Sequence, residues 1–174
     1  QLLCQRGVST PAAARAFLHP RLSNLSDPLR MQDMDAAVDR VLWAFRRNQP
    51  VTVYGDYDAD GITATALLVL FFTEIGMNAS ARIPDRFAEG YGLNRDALKR
   101  IADDRGGLLI TVDCGTSDMQ EIELALRRGT EVVVTDHHQV PADFTPVCPV
   151  LNPQRPDCRF PFPELAGVGV AFYL

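Results

Sequence analysis

The chain has 174 residues, of which 47% are hydrophobic and 22% are charged, and its formal net charge is −5 at pH 7. This composition is typical of one globular domain with its own core. The acidic balance argues against a broad basic surface for nucleic acid. It does not exclude a nucleic-acid enzyme whose carboxylates bind metal ions. Because no apolar run is long enough to span a bilayer and the four cysteines form no CxxC pair, we expect a cytoplasmic protein with reduced thiols and no membrane partner.

The first 30 residues predict a short helical lead-in that wraps onto the main domain. They contain Pro11, Pro20 and Pro28 and short helical stretches such as PAAARAFL. From residue 33 onward the pattern becomes regular, because the apolar residues from Ala37 to Phe45 recur at the spacing of an amphipathic helix. The chain lacks an initiating Met and stops within a helical pattern. We therefore expect a fragment of a longer polypeptide, with a lead-in at 1–30 and a domain at 31–174.

Strand and helix patterns alternate through the rest of the chain. Short β-rich or continuous apolar runs predict strands at VTVY (51–54), ASARIP (79–84), LLITVD (108–113) and EVVVTD (131–136). Helices are predicted between them at 62–75, which should be buried on nearly all sides, at 95–105, and at 121–128 after a capping box formed by Ser117 and Gln120. The proline-rich segment 141–163 predicts a long functional loop or a linker. This alternation predicts an α/β fold, with a parallel sheet and helices on both faces.

Acidic residues and histidines follow three of the predicted strands. They are Asp56, Asp58 and Asp60 after the first, Asp113 after the third, and Asp136, His137 and His138 after the fourth. Since ligands bind beyond the carboxyl ends of the strands in an open parallel sheet, we expect these side chains to converge on one edge. Carboxylates and imidazoles together suit Mn²⁺ or Mg²⁺, and two such ions can clamp a phosphate group and activate water. Bound cations would also offset the repulsion between the clustered aspartates.

Each of these clusters alone would have an ordinary structural explanation. Aspartate often caps helices, and Asp60 could cap the helix predicted to start near Ile62. Adjacent histidines such as His137 and His138 are often surface residues. The occurrence of all three clusters at successive strand ends favours a metal centre.

Several segments resemble one known family. The segment TDHH (135–138) resembles the signature of the DHH phosphoesterase superfamily, and YGDYDADGITATALL (54–68) resembles its first motif in the form that the RecJ single-strand-specific exonucleases carry. Further segments resemble RecJ segments in the same order, namely PDRFAEGYGLN (84–94), TVDCGTSD (111–118), VLNPQRPDC (150–158) and LAGVGVAF (165–172). The resemblance covers nearly the whole chain.

The resemblance implies roles for individual residues. It implies a set of metal ligands made of Asp56, Asp58, Asp60, Asp113 and His137. Asp113 is expected to bridge two ions and to be catalytic, His138 to be catalytic and to lie near the scissile phosphate, and Asp136 to orient His137 from outside the ligand set. Tyr54 stands where many superfamily members have a ligand histidine, and a fourth-motif aspartate ligand is expected beyond the end of this chain.

The activity that the resemblance implies is metal-dependent 5′-to-3′ hydrolysis of single-stranded DNA to 5′-mononucleotides, in DNA repair and recombination. A single-strand-binding protein and a helicase are candidate partners of the full-length protein. Arg86, and less strongly Arg82, are candidate phosphate-binding cations, with a solvated surface arginine as the alternative for Arg86. Tyr91 could stack on a base or belong to the core. Two other functions stay open: hydrolysis of short oligonucleotides, cyclic dinucleotides or pyrophosphate, and a non-catalytic scaffold.

Overall fold

The structure, a computed structural model, describes residues 1–104 and 106–174. Its centre is a five-stranded sheet in the order β2-β1-β3-β4-β5, in which every neighbouring pair is parallel. The strands are β1 (Val51–Gly55), β2 (Ala79–Arg82), β3 (Leu108–Val112), β4 (Glu131–Thr135) and β5 (Val150–Leu151). The predicted α/β class and the parallel sheet are confirmed.

Helices that follow residue 30 cover both faces of the sheet. In chain order the helices of the described residues are α1 (Leu2–Gln5), α2 (Pro11–Leu18), α3 (Met34–Arg46), α4 (Ala59–Glu74), α5 (Arg95–Asp104), α6 (Met119–Arg127) and α7 (Gly167–Tyr173), with two 3₁₀ turns at Leu22–Asn24 and Pro28–Arg30. Residues of α3, α4 and α7 form one core cluster with Val53 and Ile110, whereas residues of α5 and α6 form the other with Tyr54 and Leu109. Successive strand residues thus serve opposite faces, as the pleat requires. Position 105 of the predicted helix 95–105 lies outside the described residues.

Helix α4 differs from the prediction that it is buried on nearly all sides. Leu68 and Phe72 are buried against the sheet, but Leu70 is 70% exposed and Phe71 is 54% exposed. In α3, Phe45 is also largely exposed, since the buried positions of that helix are Met34 and two alanines. Apolar content alone predicted too much burial, because only one side of each helix has a partner.

Two local predictions were wrong. Helix α6 begins after Asp118, and no side chain caps its first turn, so Ser117 and Gln120 form no capping box. The segment 141–163 is not wholly irregular, because β5 lies within it and extends the sheet beside β4.

The lead-in contributes little to the core. Residues 1–30, all of which the structure describes, include no buried residue, so burial does not support the expectation that this segment wraps onto the domain. Among the described residues, no helix combines the length and the apolar character that crossing a bilayer would need.

Candidate metal centre

The carboxyl ends of the strands bring the predicted acids into one row. The backbone N–H of Asp56 donates to the last residue of β3 (3.3 Å), that of Asp113 to the last residue of β4 (3.0 Å), and that of Asp136 to the last residue of β5 (2.9 Å). Each acid therefore extends the hydrogen-bond ladder of the sheet by one step. The convergence predicted from the strand-end pattern is present in the structure.

Asp113 lies at the centre of this row. Its ligand atoms belong to two groups whose members lie within 4.8 Å of one another: Asp113 with His137 and His138, and Asp113 with Asp56 and Asp58. The side chain is buried, and His137 Nε2 lies 3.1 Å from Asp113 Oδ1. The backbone of Asp113 has a φ of 60°, a left-handed conformation that costs free energy in a non-glycine residue and is concentrated at functional sites. The carboxylate of Asp113 thus belongs to both candidate ligand groups.

Protein groups offset little of the negative charge on the carboxylates of this centre. Within the described part of the chain, Asp56 Oδ1 and Asp113 Oδ1 are buried oxygens without a hydrogen-bond partner, the contact of Asp113 with His137 lying outside hydrogen-bonding geometry. Burial, and then the charges of Asp60 and Asp58, raise the pKa of Asp113 to about 7. Such a buried, crowded carboxylate is costly unless a cation lies beside it. Oxygen donors with imidazole nitrogens fit a divalent ion such as Mn²⁺ or Mg²⁺.

Asp58 and Asp60 also stabilise the starts of helices α4 and α7. Asp58 is the N-cap of α4, and its Oδ1 accepts from the N–H groups of Asp60 (2.8 Å) and Gly61 (3.0 Å). The capping role that sequence reasoning allowed for Asp60 thus belongs to Asp58. Asp60 instead accepts from the N–H groups of Gly167 (2.6 Å) and Val168 (2.7 Å), which ties α4 to the start of α7. Each carboxylate keeps further lone pairs for a cation.

Asp60 is in neither of the two ligand groups. Its Oδ2 lies 3.6 Å from His137 Nε2, and its charge is the strongest effect after burial in raising the pKa of Asp113. The structure therefore brings four of the five predicted ligands into the two groups and leaves Asp60 at their border.

Glycines allow the close packing around these acids. A Cβ atom on Gly61 would lie 2.4 Å from the backbone oxygen of Asp56, and one on Gly55 would lie 2.8 Å from the backbone oxygen of Gly61. Any side chain at these positions would push α4 away from β1. The spacing of glycine and aspartate in GDYDADG thus reflects close approach of the helix start to the strand end.

Asp136 holds His138. Asp136 Oδ1 lies 2.8 Å from His138 Nδ1 and also accepts from the backbone N–H of His137 (2.7 Å), while Oδ2 accepts from the N–H of Thr116 (2.9 Å). The expectation that Asp136 orients the ring of His137 thus differs from the structure, in which its ring contact is with His138. The hydrogen bond to Asp136 raises the pKa of His138 to about 9. His138 is therefore a fixed, readily protonated imidazole whose Nε2 is not bound by Asp136.

The candidate substrate-binding side chains differ in their position and in whether another protein group already pairs with them. Tyr91 is 56% exposed and its hydroxyl lies 3.4 Å from both ring nitrogens of His138, so it borders the site and does not belong to the core. The guanidinium of Arg86 lies 5.3 Å from the ring centroid of Tyr57. Arg82 is already paired with Glu89, which makes it the weaker candidate for a phosphate.

Comparison with known proteins identifies the family. The model of the DHH family N-terminal domain matches residues 50–174. The chain belongs to the DHH family. It is 40% identical over 173 residues to the single-stranded-DNA-specific exonuclease RecJ of Bacillus subtilis, covering 99% of this chain and 22% of that protein. It is 42% identical over 147 residues to RecJ of Escherichia coli, covering 83% of this chain and 25% of that protein. The chain thus spans about a quarter of the length of these relatives.

Solved structures of this family have the same fold. A crystal structure of exonuclease RecJ bound to manganese matches with a TM-score of 0.72 and 34% identity, over 88% of this chain and 38% of that chain. RecJ from Thermus thermophilus in complex with Mn²⁺ matches with a TM-score of 0.67 and 30% identity, over 99% of this chain and 25% of that chain. Manganese is bound in both of these structures.

Tyr54 is the position at which the family resemblance leads us to expect a ligand histidine. Its side chain is buried on the face covered by α5 and α6, where its hydroxyl donates to the carbonyl of Gly92 (3.3 Å) and accepts from the N–H of Asn94 (3.4 Å). Tyr54 therefore braces the 92–94 segment of this DHH domain and does not face the ligand groups.

Sequence reasoning missed Phe87, whose side chain is 97% exposed. The turn that contains Phe87 is held by hydrogen bonds, because Asp85 Oδ1 accepts from the N–H groups of Phe87 (2.8 Å) and Ala88 (2.9 Å). The signal in the sequence is an aspartate two residues before an aromatic residue, which predicts an Asx-turn that presents the ring.

Proposed function

We propose that this DHH protein is a metal-dependent phosphodiesterase that digests single-stranded DNA from the 5′ end and releases 5′-mononucleotides. The observation that carries the proposal is Asp113, a buried carboxylate shared by two ligand groups, one of whose oxygens accepts no hydrogen bond from the described residues. The substrate is inferred from the names of the relatives, which are single-stranded-DNA-specific exonucleases.

The residues support two adjacent cation sites. Asp56, Asp58 and Asp113 would hold one ion, and Asp113 with His137 would hold the other, with Asp60 at its border. The two RecJ structures described above contain manganese, and a further structure of RecJ from Thermus thermophilus is in complex with Mg²⁺. A divalent ion bound there supplies Lewis-acid polarisation of the phosphate and activation of water.

His138 is suited to act on the phosphate that these ligands would face. Asp136 fixes its Nδ1 at 2.8 Å, so Nε2, which lies 3.4 Å from the hydroxyl of the exposed Tyr91, is the nitrogen that can turn to substrate. A protonated imidazole can donate to a phosphoryl oxygen and stabilise the charge that develops there, or give a proton to the leaving oxygen. His138 thus has a role in the chemical step that differs from the role of the metal ligands.

The strand is proposed to pass the surface formed by Arg86, Phe87 and Tyr91. The guanidinium of Arg86 lies 5.3 Å from the ring centroid of Tyr57, the residue between Asp56 and Asp58. This position beside the first acidic cluster supports Arg86 as the residue that binds a backbone or terminal phosphate. The exposed rings of Phe87 and Tyr91 offer faces on which bases can stack without sequence preference.

The division of the chain is proposed as a lead-in at 1–30 and a domain at 31–174. The absence of buried residues from 1–30 and the family match over 50–174 support it. A cytoplasmic location, a role in DNA repair and recombination, and association with a single-strand-binding protein or a helicase stay predictions.

The test is digestion of single-stranded DNA that carries a label at its 5′ end, in Mn²⁺. We expect the first labelled product to be a mononucleotide, and Asp113→Asn to abolish its release. Asp39→Asn, on the exposed side of α3, is the matched control and should digest like the parent. Preferential cleavage of dinucleotides or pyrophosphate would instead favour the alternative hydrolase, and digestion that survives Asp113→Asn would contradict the assignment of the site.

A further inference from the structure

The backbone that carries the two DHH histidines leaves the sheet without a neighbouring strand. Strand β5 pairs with β4 only at Val150 and Leu151, and the ladder ends where the N–H of Asp136 donates to Leu151 (2.9 Å). Pro153, two residues beyond Leu151, has no N–H and cannot continue the pairing. The carbonyl groups of His137 and His138 therefore need other partners.

Side-chain amides supply these partners. The buried Asn152 donates from Nδ2 to the carbonyl of His138 (2.9 Å), and Gln154 donates from Nε2 to the carbonyl of His137. Asn152 Oδ1 in turn accepts from the backbone N–H of Gln154 (2.9 Å). Asn152 and Gln154, here called the amide clip, thus bind both histidine carbonyls from one short segment.

The amide clip also reaches the carboxylate partner of His138. Asn152 Nδ2 donates a second hydrogen bond to Thr116 Oγ1 (3.0 Å), and the backbone N–H of Thr116 donates to Asp136 Oδ2 (2.9 Å). Both ends of the Asp136–His138 pair are therefore fixed by one side chain, at the carbonyl of His138 and through Thr116. Asn152 uses both of its N–H donors in doing so.

We propose that Asn152 is a positioning residue for His138, which it holds at the angle that directs Nε2 toward the phosphate. The catalytic consequence rests on the proposed function, whereas the claim that Asn152 fixes the orientation of the His138 ring does not. A small misplacement of a catalytic group lowers the rate of the chemical step strongly. Loss of Asn152 should therefore slow chemistry while leaving Mn²⁺ affinity and strand affinity close to those of the parent.

The variants separate positioning from packing. Asn152→Ala removes one of the two amides of the clip, and Thr116→Val removes the hydroxyl that accepts from Asn152 while keeping the shape of the side chain. Thr116→Ser keeps the hydroxyl and should behave more like the parent than Thr116→Val. Asn24→Ala, at an exposed asparagine of the lead-in, is the matched control.

Two measurements decide the proposal. Single-turnover digestion of 5′-labelled single-stranded DNA at saturating Mn²⁺ should slow about ten- to a hundredfold in Asn152→Ala and Thr116→Val. In the NMR spectrum of the metal-free protein, cross-peaks between the ring protons of Tyr91 and His138, whose centroids lie 5.9 Å apart, should weaken in the same two variants. The double variant should be no slower than the slower single one, since both changes break one connection.

The outcomes are distinct. Variants that melt at lower temperature but keep the parent's rate and ring cross-peaks would overturn the proposal, because Asn152 would then only pack. A parallel loss of Mn²⁺ affinity would also overturn it, because the clip would then act on the ligand His137. If the parent digests no single-stranded DNA, the proposed function fails, and the ring cross-peaks alone still decide whether Asn152 positions His138.

Discussion

Gly167 is the first residue of α7, and replacing it with alanine should disturb the metal centre directly. A Cβ atom there would lie 2.7 Å from Asp113 Oδ1 and 2.9 Å from Asp113 Cβ and Cγ. Asp113 cannot move away easily, because it is buried and its backbone belongs to the row of strand ends. Helix α7 would have to retreat, which would weaken the two hydrogen bonds that Asp60 accepts from its first turn.

The size of the effect follows from these contacts. Overpacking costs about 1–3 kcal/mol, and weakening two hydrogen bonds to a carboxylate adds to it, so we expect Gly167→Ala to lower the free energy of unfolding by about 2–3 kcal/mol. For a domain of this size that corresponds to a fall in melting temperature of roughly 4–12 °C. Calorimetry measures the fall, and isothermal titration should show weaker Mn²⁺ binding.

A second glycine of the same helix provides the control. A Cβ atom on Gly169 would meet Leu165 Cδ2 at 3.1 Å, which is the end of a flexible side chain that can shift. Since alanine is a better helix former than glycine by about 1 kcal/mol, Gly169→Ala should melt at the parent's temperature or above it. If Gly167→Ala instead melts and binds Mn²⁺ like the parent, the start of α7 does not abut Asp113 and the reasoning is refuted.

Two further predictions concern side chains outside the ligand groups. Tyr54→Phe removes the hydroxyl that binds Gly92 and Asn94, so it should destabilise the domain by about 1 kcal/mol without changing Mn²⁺ affinity; an equal loss of affinity would show that Tyr54 serves the metal. Burial raises the pKa of Asp118 to about 6 from an ordinary value of 3.8, so its contribution to stability is present below pH 3.8 and is lost as the pH rises through about 6. Asp118→Asn should therefore remove about 1–2 kcal/mol of that pH dependence, allowing for partial exposure. The measurement is the free energy of unfolding by denaturant at pH 4 to 7. Parallel curves of this free energy against pH for both proteins would count against the prediction.

The sequence was most informative where one residue pattern has one physical cause. Continuous apolar runs such as LLITV indicate strands covered on both faces, and the structure has β3 there with every residue buried. Acids that directly follow such runs must lie at the carboxyl edge of a parallel sheet. For this reason the convergence of Asp56, Asp113 and Asp136 could be predicted without knowing any contact.

The remaining features depend on partners that are distant in the chain or on side-chain geometry. Asp60 binds the start of α7, more than a hundred residues away, and no local pattern indicates that contact. Whether Asp136 bonds the ring of His137 or of His138 depends on the turn after β4. The exposed side of α4, including Leu70, could not be found from an almost uniformly apolar helix, because its composition does not indicate which face has a partner.

The most direct test of the metal centre is a titration of the protein with Mn²⁺, followed by the paramagnetic resonance signal of the free ion. The account predicts saturable binding that Asp113→Asn removes for both ions together, because Asp113 belongs to both ligand groups. It also predicts a stabilisation of about 2.7 kcal/mol at a hundredfold excess of Mn²⁺ over the dissociation constant, absent in the variant. Binding by Asp113→Asn with the stoichiometry and affinity of the parent would contradict the central claim.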